Sequence, residues 1–255
     1  MHLTAKILAA MVAIWAIGSA SARAQLLVDP EQPAREGGWQ AGGSHQFFQT
    51  TYEVDTLYPT LRTPEFSRDL YSASAAYGLR SPVDVFVAAA LTDNADNSDH
   101  PVISGDGYAL AVGSRGLICE YEGLGLVGWG QLLRMREEYT PEPVEREIQG
   151  HAGYVNDRTI TWTEITLGLL LRYATERFSV YAGPEVLAAR WGDYDYTQTF
   201  LDDGSRMDKD TLDIERDETW GFRIGGKVAL PPFFAFANIV SGYETSWTVG
   251  IGANF

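Results

Sequence analysis

One cysteine, Cys119, is the whole thiol content of this 255-residue chain, so no disulfide can form within it. Basic residues are also scarce: 19 Lys and Arg stand against 34 Asp and Glu, a formal net charge of −15, which excludes nucleic-acid binding through a basic surface. Histidine occurs four times with no spacing that would make a catalytic triad. Beyond the amino-terminal region there is no apolar run long enough for a membrane-spanning helix. If the remaining chain crosses a membrane, it must do so as a closed barrel, because only that leaves no strand edge unpaired in lipid.

The amino-terminal region has its own character. Lys6 precedes the apolar run ILAAMVAIWAIG, and SASARA ends in the small-x-small triplet Ala22-Arg23-Ala24. This order predicts a secretory signal peptide over residues 1–24, cut before Gln25; the run is too short for a spanning anchor, which needs about 20 apolar residues. Removing it leaves 17 basic and 34 acidic residues, a net −17. Cys119 lies far from that cleavage point, so it is no lipid-attachment cysteine and is expected as a buried or strand-end thiol. Residues 25–38, QLLVDPEQPAREGG, read as an irregular leader rich in proline, charge and glycine.

From Trp39 onward the pattern is alternation. Side chains on a strand point to opposite faces in turn, so VDVFVAAAL places Val83, Val85, Val87, Ala89 and Leu91 on one face with Asp84 on the other. YSASAAYGL aligns Tyr71, Ala73, Ala75, Tyr77 and Leu79. In EITLGLLLRY the residues Ile165, Leu167, Leu169, Leu171 and Tyr173 oppose Glu164 and Arg172, and in TWGFRIGGKVAL the residues Trp220, Phe222, Ile224, Val228 and Leu230 oppose Arg223 and Lys227. SWTVGIGANF repeats the code with Trp247, Val249, Ile251, Ala253 and Phe255 on one side and small or polar residues on the other.

Connections supply the rest of the architecture. Short turns at Ser81-Pro82, Thr175-Glu176 and Pro231-Pro232 alternate with long polar segments near 55–69, 93–106, 140–158 and 193–217. Strands are expected over 39–54, 70–80, 83–92, 107–115, 124–139, 159–173, 178–192, 218–230, 233–240 and 244–255. The fold class is therefore all-β, an antiparallel up-and-down transmembrane barrel occupying 39–255, with about ten strands and eight as the alternative count. Tyr71, Tyr108, Tyr139, Trp162, Tyr173, Trp191, Trp220 and Trp247 lie where interfacial aromatic girdles belong.

The signal peptide, alternating strands, acidic loops and final WTVGIGANF resemble the bacterial outer-membrane β-barrels, broadly the small OmpA/OmpX-like class. The resemblance implies an outer-membrane location. It also implies that Trp247, Val249, Ile251 and Phe255 form the signal read by the barrel-assembly machinery. The partners expected on this basis are outer-membrane lipid, lipopolysaccharide and that machinery, with a monomeric barrel and no nucleic acid.

A barrel this narrow has an interior that side chains fill. Asp84, Arg134, Arg136, Glu138, Glu164, Arg172, Glu185, Arg223 and Lys227 are expected to point inward and to pair across the lumen, since buried charges must be partnered. The acidic stretch 193–217 holds nine carboxylates, among them Asp193, Asp195, Asp202 and Asp203. Carboxylates at that density could take up a structural Ca²⁺ or Mg²⁺, although no calcium-loop spacing is present; otherwise no cofactor is expected. Asp193 and Asp195 share one face and resemble half of an omptin protease site, but the Asp-x-His half is missing, because Asp99 and His100 are adjacent. Outer-membrane lipases set a His beside a Ser on the barrel exterior; Ser241 has no neighbouring His in sequence. The expected function is a non-enzymatic integral outer-membrane barrel with surface-exposed acidic loops and a structural or surface-binding role. The alternatives are a narrow channel for small solutes or an omptin- or lipase-like hydrolase.

Overall fold

The structure, a computed structural model, describes residues 34–51, 53–54, 65–80, 82–94, 106–139, 145–148, 151–200, 206–215, 220–242 and 245–255. The signal peptide and most of the leader fall outside these residues. Thirteen strands follow in chain order: β1 (Trp39–Thr51), β2 (Glu53–Val54), β3 (Glu65–Arg80), β4 (Val83–Asn94), β5 (Asp106–Tyr121), β6 (Leu124–Tyr139), β7 (Glu145–Ile148), β8 (His151–Ala174), β9 (Phe178–Phe200), β10 (Arg206–Glu215), β11 (Trp220–Leu230), β12 (Phe233–Gly242) and β13 (Thr245–Asn254).

Ten of them close a barrel. The antiparallel order runs β1, β3, β4, β5, β6, β8, β9, β11, β12, β13 and returns to β1. At the closing seam Trp39 and Phe255 exchange both main-chain bonds, N–H to C=O at 3.1 and 2.8 Å. The short β2, β7 and β10 instead extend the sheet beyond the barrel rim, pairing with one another or with the upper parts of β8 and β9. Segments 140–158 and 193–217, expected as loops, are thus partly strand. Their polarity hid this, because a strand whose sequence lacks apolar alternation gives a period of two nothing to show.

Strand β4 shows why this chain closes. Val83, Val85, Val87, Ala89 and Leu91 are exposed, and Asp84, Phe86, Ala88, Ala90 and Thr92 are buried. The apolar set forms the outer wall and the mixed set fills the lumen. Aromatic side chains enter that lumen by lying across glycines of the adjacent strand. A Cβ added to Gly113, Gly168 or Gly250 would stand 2.3–2.4 Å from the rings of Phe86, Trp129 or Phe236. The strand glycines make room that a narrow barrel lacks. FFAFANIV resolves in the same way, with Phe234, Phe236, Asn238 and Val240 inside.

One end of the barrel carries short turns and the other long segments. The β5–β6 turn is Glu122-Gly123, both residues at positive φ, 49° and 82°, the handedness that matches strand twist in two-residue hairpins. At the β8–β9 turn, the amides of Arg177 and Phe178 donate to Thr175 Oγ1 at 3.4 and 3.1 Å. Exposed aromatic residues ring both ends of the wall: Trp39, Tyr121, Phe178, Phe233 and Phe255 toward the short turns, and Tyr71, Tyr108, Trp191, Trp220 and Trp247 toward the long segments. From Phe255 to Trp247 the strand rises roughly 20 Å at ~3.3 Å per residue and ~40° tilt, close to the ~25 Å apolar band of membrane barrels. Trp162 departs from the expected girdle; it is buried inside the lumen. Cys119 sits near the end of β5 and is exposed.

Candidate functional site

The lumen is where the sequence concentrates its buried charge. At the short-turn end, Asp84 accepts from Arg115 Nε at 3.1 and 3.0 Å and from Nη2 at 2.9 Å, and the same Nη2 donates to Gln40 Oε1 at 2.5 Å. The backbone N–H of Ala34 donates to Asp84 Oδ2 at 2.6 Å. The leader's last residues are therefore bolted onto the lumen. Gly78 makes this approach feasible, since a Cβ there would lie 1.9 Å from the carbonyl oxygen of Arg35. Gly37 N–H donates to the Gly78 carbonyl at 2.9 Å and Gly78 N–H to that of Gly38 at 3.1 Å.

Higher in the barrel, Arg223 Nε donates to Glu185 at 2.9 Å, its Nη1 donates to Asn238 Oδ1 at 2.6 Å, and the guanidinium lies 5.7 Å from the Trp129 ring centroid. Lys227 stands over Phe234 at 4.0 Å. Toward the long-segment end, Arg68 meets Glu137 at 2.5 Å and Arg190 meets Glu164, with both guanidiniums near Trp162 at 5.2 and 5.9 Å. Arg172 reaches Glu120 at 3.1 Å. Each cation is matched by a carboxylate, an aromatic face or both. This arrangement makes buried charge tolerable, because pairing and ring contacts offset much of the desolvation cost that a lone buried ion would carry in full.

Asp84, Glu164, Arg172, Arg223 and Lys227, all expected in the lumen, are buried there. Arg134 is not. It is exposed on the outer wall, as are Arg136 and Glu138, while Leu133, Met135 and Glu137 turn inward. The phase of β6 was ambiguous in QLLRMREEY, where Leu132 and Leu133 are both apolar and charges fall on both faces. Among the described residues the lumen charges also include Arg68, Arg115, Glu137 and Arg190. Arg115 could have been found by continuing the alternation Ala109, Ala111, Gly113. Arg190 could not, because a bulge at Ala188, where Ile165 pairs with Ala189 and Thr166 with Leu187, inverts the two faces of β9.

The same bulge fixes the loop carboxylates. Above it, odd-numbered residues face outward, so exposed Asp193 and half-buried Asp195 stand on the outer wall beyond Trp191. They line no concavity in the lumen, and Asp202 and Asp203 lie outside the described residues. Among the described residues no three His, Cys, Asp or Glu side chains gather as a metal site. His45 is also on the outer wall: its Nε2 is 2.6 Å from Asp69 Oδ1, with the ring stacked on Tyr71 at 4.9 Å and edge-on to Trp247 at 5.1 Å. Among the described residues no serine hydrogen-bonds to its ring. Trp247, Val249, Ile251 and Phe255 form the exposed face of β13.

No protein-family model matches this chain, and no curated protein does. Among solved structures it is similar to the translocator domain of the autotransporter NalP from Neisseria meningitidis (12% identity, 86% of this chain and 90% of that one, TM-score 0.48). It is also similar to an outer membrane channel from Pseudomonas putida F1 (12%, 89% and 100%, TM-score 0.45) and to the outer membrane protease OmpT from Escherichia coli (11%, 91% and 99%, TM-score 0.41). A translocator, a channel and a protease share no common activity, and these similarities are too distant to choose among them. The chain's own geometry is plain: a closed ten-stranded barrel whose wall is largely apolar outside and whose buried charges line the lumen, the inverted construction of transmembrane β-barrels.

Proposed function

We propose that the protein is a monomeric, non-enzymatic resident of a bacterial outer membrane. In this reading its barrel is a closed scaffold and its acidic segments at the long-loop end face the exterior, where they bind a partner or support the envelope. The observation that carries this is the inversion of the wall. Val87, Leu91, Leu110, Ile251 and Phe255 are among its most exposed residues, while Arg68, Arg115 and Arg223 are at most 1% exposed. In water that arrangement would cost the burial energy of every outward side chain; in lipid it is the favourable one. Lipid and lipopolysaccharide would surround the wall, and the exposed face of β13 would be read by the assembly machinery.

A closed scaffold fits the lumen better than a pore does, since its ion pairs and rings occupy the space an aqueous path would need. Asp193 and Asp195 face outward from β9, away from the lumen in which the buried charges gather. Purified protein inserted into a planar lipid bilayer is expected to give no steady conductance, and its extraction from membranes should require detergent. Steady open currents would replace the scaffold with a channel. A folded, detergent-free monomer would remove the membrane reading altogether.

A further inference from the structure

Arg134 stands on the outer wall, where a guanidinium facing hydrocarbon would be out of place. Its register partners are Leu110 on β5 and Thr163 on β8. Leu132 is exposed below it, Tyr108 is exposed on the neighbouring strand, and Trp191, exposed, pairs with Thr163 one strand further on. Apolar and aromatic surface thus surrounds the cation. From Leu124, beside the short turn, the strand climbs roughly 25 Å to Arg134 at ~3.3 Å per residue and ~40° tilt, which brings the guanidinium to the upper edge of the apolar band. A long side chain at that depth snorkels toward the headgroups.

Arg136 lies two residues higher on the same face. Its Nε and Nη2 donate to Glu138 Oε1 at 3.1 and 2.7 Å, so one carboxylate is already committed to one of the two arginines. Among the described residues Arg134 has no recorded carboxylate partner. Across the ladder, buried Thr163 pairs with Arg134 and half-buried Thr161 with Arg136, which sets the Thr161 hydroxyl beside the guanidiniums. The carboxylates nearby are Glu138 above, Asp106 at the top of β5, and Asp193 in register with Thr161.

We propose that Arg134 and Arg136, with Thr161, form a binding site for the phosphate of an outer-leaflet lipid headgroup. The proposal rests on the membrane reading above. Charge placement commits it to a lipid: a free anion arriving from water meets Asp106, Glu138 and Asp193 first, whereas a lipid phosphate moves sideways within the bilayer and meets Arg134. The fork of the guanidinium matches two phosphate oxygens, and the Thr161 hydroxyl donates to a third.

The test is native mass spectrometry of the detergent-solubilised full chain titrated with dioctanoyl phosphatidic acid, dioctanoylglycerol or inorganic phosphate. Wild-type protein should retain the phosphatidic acid and neither of the other two. Arg134→Gln should weaken retention about tenfold, as loss of one charge-assisted contact implies, and Arg134→Lys should restore part of it. Arg80→Gln, which removes an exposed cation at the other rim, should change nothing. Equal retention by Arg134→Gln, equal loss in Arg80→Gln, or equal retention of dioctanoylglycerol would overturn the site. Heat-modifiable migration of each variant on gels reports the barrel. A variant that keeps it but binds unchanged sinks this site alone, whereas a wild-type chain folded without detergent sinks the membrane reading beneath it.

Discussion

Ala34 donates its backbone N–H to Asp84 Oδ2 at 2.6 Å, joining a segment that precedes the barrel to a carboxylate inside it. Asp84 is simultaneously the counter-charge of Arg115, and both side chains are fully buried.

Replacing Asp84 by Ala therefore strands a buried guanidinium and releases the leader. We expect a loss of about 3–5 kcal/mol, the usual cost of removing one partner of a buried pair. Urea titration of the lipid-reconstituted protein, followed by tryptophan fluorescence, measures it. The double variant Asp84→Leu with Arg115→Leu should recover most of the loss, because no charge is left unmatched. A double variant as unstable as the single one would show that packing, and not charge, holds this end.

Gly78→Ala tests the leader separately. Its Cβ would collide with the Arg35 carbonyl, and the strap must lift while the barrel ladder stays intact. Limited trypsin digestion should then cut after Arg35 about tenfold faster than in wild type, since local opening becomes cheaper by ~1–2 kcal/mol. Unchanged cleavage would mean the strap never depended on that close approach.

The bulge at Ala188 makes a sharper demand. Ala188 has no partner on β8, so deleting it leaves Leu187 opposite Thr166 and Ala189 opposite Ile165, keeps Arg190 on Glu164, and should still give a heat-modifiable barrel on refolding. Inserting one alanine between Ala189 and Arg190 should instead exchange the upper faces of β9, turning Trp191 inward and Arg190 outward with Glu164 left unmatched, and no such barrel should form. An insertion variant that still folds would show that the upper half of β9 tolerates either phase.

Filling the space under a ring should hurt in a graded way. Gly250→Ala places a methyl group 2.4 Å from the Phe236 ring, and overpacking of this kind costs about 1–3 kcal/mol. Adding Phe236→Leu should return part of that stability in the same urea titration. If the pair proves additive, the ring and the glycine are not in the contact described.

Much of this architecture was legible in the chain, and the reasons differ from strand to strand. β4 announced itself because Asp84 fell exactly out of phase with five apolar residues, and the whole closed meander follows from strands of that kind joined by short turns. The C-terminal strand and the inward positions of Glu164, Arg172, Arg223 and Lys227 were readable by the same rule. Arg134 was misplaced because adjacent leucines in β6 give no phase, so its strand could be read either way. Arg190 and the outward turn of Asp193 and Asp195 depend on one extra residue in β9. A period of two carries no record of where such a residue is spent. Arg68 was hidden within a polar stretch read as loop, where the ladder of β3 continues without apolar alternation to mark it.

The main-chain exchange between Trp39 and Phe255 makes the sheet a ring, and a ring has no intermediate stage that lipid would accept. A chain halted before β13 would present the edges of β1 and β12 as rows of unmatched amides and carbonyls, each costing several kcal/mol in hydrocarbon. Joining the two flanking strands must therefore accompany full insertion or precede it, and the half-built wall needs shelter until its final rung is in place.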